Sequence, residues 1–210
     1  MPERSESVNA FEFLGGQLCL EFANTLSDRP TAAPVELLHT YEDLLIWSQQ
    51  ANILNDGETV RIQVLAEDQP ARAANWLVSI KQVRELLYRI FSTLASGETA
   101  QTEDMHQFNQ ILAQTMAHAC LVSSETGFTW DWTADQDRLG YPLWPIVRSA
   151  ANLLTSPELS KMRICASDDC GWLFLDTSKN HSRRWCDMKS CGNRAKARRH
   201  YGRKKGADGE

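Results

Sequence analysis

Apolar positions three and four residues apart dominate the middle of this chain. Between Ala73 and Leu94 they fall at Trp76, Leu77, Ile80, Val83, Leu87, Ile90, Phe91 and Leu94, which predicts a long amphipathic helix stopped by Ser96-Gly97. The same period predicts a helix from Tyr41 through Leu44, Leu45, Trp47, Ser48 and Ala51, closed by Asn55-Asp56-Gly57. A second helix is expected from about Thr59, broken or restarted at Pro70. Another opens at Thr102, Glu103 and Asp104 and carries Met105, Phe108, Ile111, Leu112 and Thr115. A last one is expected over 146–154, after Pro142 and Pro145.

Two stretches alternate instead. FEFLGGQLCLEF, residues 11–22, reads as a hairpin folded on Gly15-Gly16, with Phe13 opposite Leu18 and Phe11 opposite Leu20. ACLVSSETGFTWDWT, residues 119–133, reads as a second, turning at Glu125-Thr126-Gly127. Residues 10–158 are therefore expected to form an α+β domain, with antiparallel hairpins in one sheet packed with several helices, after a disordered lead over 1–9. Polar residues follow the first hairpin, and Asn24, Thr25 and Asp28 are candidates for a ligand pocket walled by Trp130 or Trp132. The same residue types also serve as turn formers that bond their own backbone, and alternate aromatics as core.

The texture changes after Lys161. Of the 210 residues, 42% are hydrophobic and 23% charged, as in ordinary globular proteins, and the net charge is −5. That figure hides a division: residues 161–205 hold thirteen Lys and Arg against four Asp and Glu, whereas residues 1–160 are acidic. An acidic body and a basic end predict two parts with different partners. No apolar run reaches the roughly 20 residues that span a bilayer. The polar, acidic start has no signal-peptide pattern, so the cytoplasm is expected. In that reducing setting, clustered cysteines read as metal ligands rather than disulfides.

Four of the six cysteines form two matched pairs, Cys165/Cys170 and Cys186/Cys191, each Cys-x4-Cys with fifteen residues between the pairs. Zinc takes four ligands tetrahedrally, and two short chelating loops supply them to one Zn2+ ion. Four cysteines complete the shell without His181 or His200. Strands are expected at Trp172–Leu175 and Arg183–Trp185, and a helix beyond Cys191, the layout of a treble clef over 162–205 with a disordered tail over 206–210. So small a module with few large apolar side chains folds by binding its metal. Cys19 and Cys120 lie in apolar runs and read as packing residues. Phasing the helix from Cys191 at about 100° per residue turns Lys196, Arg199, His200, Arg203, Lys204 and Asn193 away from the metal. Arg198 then falls on the metal side and Arg194 on its flank. The outward cations, with Arg183, Arg184 and Lys179, are the candidates for phosphates or base edges. Asn193, Arg194 and Arg198 are candidates either for supporting the metal site or for DNA.

Cys191-Gly192-Asn193-Arg194 makes the C-terminal segment resemble the CGNR zinc finger. The body resembles the ABATE domain that accompanies that finger, through residues 15–25 (GGQLCLEFANT) and 143–151 (LWPIVRSAA). The resemblance implies a stress-responsive transcription regulator with a DNA-binding end. The body would then sense a ligand or form a homodimer, since one small finger buries little DNA surface and symmetry adds affinity. Other classes stay open: a structural zinc clip on a protein-binding adaptor, or a nucleic-acid-processing enzyme using acids such as Asp131 and Asp135. No catalytic motif is present, and His39, His106 and His118 are isolated.

Overall fold

A computed structural model describes residues 11–133 and 138–198. Its centre is a 26-residue helix, α4, Pro70–Ala95. Pro70 stands in the first turn, where the missing N–H has no helical partner to lose. The face predicted from the apolar spacing is buried: Leu77, Ile80, Val83, Leu87, Ile90 and Phe91 all lie in the core. Around it, in chain order, are α1 (Leu18–Ala23), α2 (Tyr41–Gln50), α3 (Asp56–Asp68), α5 (Thr102–Met116) and α6 (Leu143–Leu154). α4 touches α1, α2, α3 and α5. No helix among the described residues is long and apolar enough to cross a membrane.

Helix starts follow local chemistry. Thr40 and Asp43 form a reciprocal capping box at α2, and Asn55 with Glu58 forms another at α3. Asn55 thus opens α3 rather than closing α2, which ends at Gln50 before Asn52 turns left-handed at φ 57°. α6 begins at Leu143, three residues ahead of the expected start.

The first expected hairpin does not form. Residues 18–23 are helical, and Cys19 through Ala23 are all buried. A helix enclosed on every side shows no one-sided apolar period, so its alternation is no guide to strand. The glycine pair serves close packing instead. A Cβ on Gly15 would lie 3.0 Å from the Leu20 Cβ and 3.2 Å from the Leu173 carbonyl oxygen, and Gly16 adopts φ 81°. The buried Glu21 carboxylate accepts the Gly16 N–H at 2.7 Å and ties that turn to α1.

The second hairpin is present as β3 (Ala119–Ser124) and β4 (Gly127–Trp132), pairing Leu121 with Trp130. Two further ladders are short. β1 (Leu26–Ser27) pairs with β2 (Val35–Glu36), and β5 (Met162–Ile164) pairs with β6 (Leu173–Leu175). These are three separate two-stranded antiparallel sheets, not one. The fold is α+β, helix-dominated, with a cysteine-bearing end. Residues 183–185 form no strand, and the partner of β6 comes from ahead of the first cysteine. The lead over 1–9 and the tail over 206–210 lie outside the described residues.

Candidate metal centre

The β5–β6 ladder continues past its last pair through the Cys165 N–H to the Trp172 carbonyl at 2.8 Å, so the first chelating loop is the tip of this hairpin. The second loop is turned by Asp187, whose carboxylate accepts the Ser190 N–H at 2.7 Å. Cys191 sits in a single π-type turn, Met188–Gly192, and residues 193–198 continue as helix. The four sulfurs converge within 4.8 Å of one another. Cys186 lies 3.6 Å from both Cys170 and Cys191. A zinc ion at about 2.3 Å from four sulfurs sets tetrahedral edges of roughly 3.8 Å, so the spacing suits one ion. None of the six cysteines is in a disulfide.

Electrostatics suit a bound cation. Hydrogen bonds from Cys170 and Cys186 lower the Cys165 thiol, and its neighbourhood raises Cys170 and Cys186. Without metal the cluster favours one thiolate and resists the next; a dication removes that limit. The centre is therefore a four-thiolate site for one Zn2+, held by Cys165, Cys170, Cys186 and Cys191.

Two arginines brace it. Arg194 Nη2 donates to Cys191 Sγ at 3.1 Å, a charge-assisted bond that offsets the thiolate. Arg194 Nη1 also lies 3.5 Å from Asp169, and Arg198 Nη2 donates to the same carboxylate at 2.6 Å. The helix after Cys191 is thereby tied to the first chelating loop, with both guanidinium side chains about half-exposed. Arg183 is spent on the backbone: it donates to the Trp185 and Cys186 carbonyls and lies over the Phe174 ring at 4.6 Å. Asn193 donates to the Lys189 carbonyl at 2.9 Å. Arg184 and Lys196 are exposed, as are Lys179 and Lys189. Arg199, His200, Arg203 and Lys204 lie outside the described residues.

Of the candidate ligand-pocket residues after α1, Asn24 and Thr25 are engaged by the protein itself. Asn24 donates to the Leu173 carbonyl and accepts the Leu173 N–H, both at 2.9 Å, and is buried. Thr25 Oγ1 donates to the Phe22 carbonyl and accepts from Arg84. Asp28, left-handed at φ 52°, lines a cleft of about 430 Å³ between body and finger, together with Glu12, Lys189 and Arg194. Trp130 and Trp132 do not line it; Arg148 reaches over both rings elsewhere. Of the remaining cysteines, Cys19 is fully buried and its thiol is pushed up to about 12 by that burial.

Residues that spacing does not single out clasp the finger to the body. The Leu175 N–H donates to the Gly15 carbonyl at 2.9 Å, beside the two Asn24 bonds. Tyr88 of α4 donates to the Gly171 carbonyl at 2.8 Å, and Arg29 lies 3.7 Å over its ring. Arg29 pairs with Glu85, which also receives Arg84, and Arg84 makes a bidentate pair with Glu36. Buried Asp176 accepts Ser178 and the Arg183 N–H and shapes the turn between the cysteine pairs. An acid pair inside one chelating loop, facing a basic stretch after the other, is the available sequence signal for Asp169.

Comparison with known proteins agrees with this division. The ABATE family model, described as "Putative stress-induced transcription regulator", matches residues 16–157. The CGNR zinc finger model matches residues 161–204. No curated protein matches the chain.

Proposed function

This chain belongs to the ABATE family and carries a CGNR zinc finger, and we propose that it is a transcription regulator gripping DNA through that finger's exposed cations. The observation that carries the reading is how the finger's charges are divided. Arg183, Arg194 and Arg198 are turned to backbone, sulfur and Asp169, whereas Arg184, Lys179, Lys189 and Lys196 are exposed and meet no carboxylate among the described residues. Metal-braced cations with no carboxylate partner among the described residues suit phosphate contacts, with Arg199, Arg203 and Lys204 continuing the series along the chain. The body's part is to present the finger and to carry its regulation, by a bound effector or a second copy.

On this reading the chain binds rather than catalyses. Asp131, one of the two acids considered for catalysis, accepts its neighbour's N–H at 2.8 Å, and Asp135 lies outside the described residues.

Selection of bound sequences from random DNA by the zinc-loaded protein tests the reading. A shared motif is expected, with affinity falling as salt rises. Removing Arg184 and Lys196 together should flatten the logarithmic salt slope by about 2, near 0.9 per phosphate contact, with zinc retained. Undetectable or salt-insensitive binding overturns it.

A further inference from the structure

The outer half of the β3–β4 hairpin has little to hold it. Its register puts Ala119, Leu121 and Ser123 on one face with Trp132, Trp130 and Phe128. At the base this face packs on the body: Trp132 is buried, 6.0 Å from the ring of Trp144 in α6. Beyond it burial stops. Trp130 is 45% exposed, Leu121 59% and Phe128 76%. Among the described residues the ladder has two strands, a form marginal in water without further cover. A contiguous exposed apolar strip with two aromatics is the composition of an interface core.

Charge says what covers it. From Leu121 to Trp130 the one ionisable side chain is Glu125, exposed at the tip. At the base stands Arg148 of α6, its guanidinium 5.3 Å from the Trp130 ring and 5.8 Å from that of Trp132. Its Nε is buried without a hydrogen-bond partner, and no carboxylate pairs with it among the described residues. The strip thus runs from an anion to a cation, neither in an ion pair among the described residues, with Leu121, Phe128 and Trp130 between. The two ends are roughly 17 Å apart, five residues at about 3.3 Å each. A second identical hairpin laid antiparallel across it places tip on base at both ends at once. Two-fold self-complementarity of this kind is what an isologous interface requires.

We propose that a second copy of this chain covers the hairpin face, two hairpins packing antiparallel about a two-fold axis. Phe128 then meets the partner's Trp130, and Glu125 meets the partner's Arg148. The proposal does not rest on DNA binding.

Light scattering and sedimentation of the zinc-loaded full chain test it. The wild-type protein is expected to be dimeric at micromolar concentration. Phe128→Ser with Trp130→Ser should weaken dimerisation roughly 30-fold or more, as loss of central aromatic anchors does. Glu125→Arg and Arg148→Glu should each weaken it alone, because each creates two like-charge contacts. Mixing those two variants should restore a dimer, a mixed one, because both contacts become attractive. Should Arg148→Glu unfold the chain, Phe128→Ser still decides, since that side chain is largely in solvent and its loss leaves the monomer folded. A monomeric wild type, an unaffected Phe128→Ser variant or a failed mixture of folded variants overturns the proposal.

Discussion

Asn24 holds both backbone groups of Leu173, so truncating it leaves a buried donor and a buried acceptor unpaired at the junction of body and finger. Asn24→Ala should destabilise the zinc-loaded protein by about 2–4 kcal/mol in urea or thermal unfolding, since each orphaned buried group costs about 1–3 kcal/mol. A change under about 1 kcal/mol would mean that water replaces the clamp. A second residue-scale expectation concerns acid. Burial alone would raise Glu36, but hydrogen bonds and charge from Arg84 override it and hold the carboxyl below its ordinary 4.5; Arg29 and Arg84 do the same for Glu85. With the folded value depressed, the unfolded chain takes up protons first as pH falls. The contribution is complete above about 4.5 and is lost as pH drops through the depressed value. Paired melts of wild type and Glu36→Gln should therefore show a gap that is steady near neutral pH and narrows below about 4.5. A gap independent of pH would show that the ion pair contributes nothing.

At the scale of elements, β6 serves two cores in three residues. Leu173 and Leu175 pack in the body's core, and Phe174 packs with the four cysteines. Strand alternation makes this possible, and it separates the effects of neighbouring substitutions. Leu173→Ala should cost about 2–5 kcal/mol of global stability, as a large-to-small core change. Phe174→Ala should instead speed zinc transfer to a chromogenic chelator, on the order of 10-fold, by opening the apolar shell around the ion. Equal effects of both on both measurements would deny the division. The long elements are legible in the sequence: α4 and α5 bury one side, so period and burial coincide. α1 reads as a strand because a helix buried all round carries no such signal. β5 is three residues long and finds its partner across the first chelating loop, and pattern does not register so short a pairing.

At the scale of the molecule, the finger is built into the body rather than hung from it. Met162, Leu173 and Leu175 belong to the body's core, and bonds to Gly15, Asn24 and Tyr88 hold the hairpin whose tip carries the first two ligands. Zinc removal should thus lower the melting temperature of the whole chain in one cooperative transition, followed by far-ultraviolet circular dichroism after chelation. A separate body transition at the original temperature would show two independent units. Such coupling gives an event in the body a physical route to the finger. The sequence by itself determined the four ligands, the family and the amphipathic helices, because ligand spacing and helical period are local properties of the chain. Helix phasing left two roles open for Arg198, and tertiary structure decided between them, since that arginine meets an aspartate 29 residues away. It also decided that Asn24 is a clamp rather than a pocket residue, and that one strand joins both cores. Those outcomes depend on contacts between distant segments, which no spacing along the chain records.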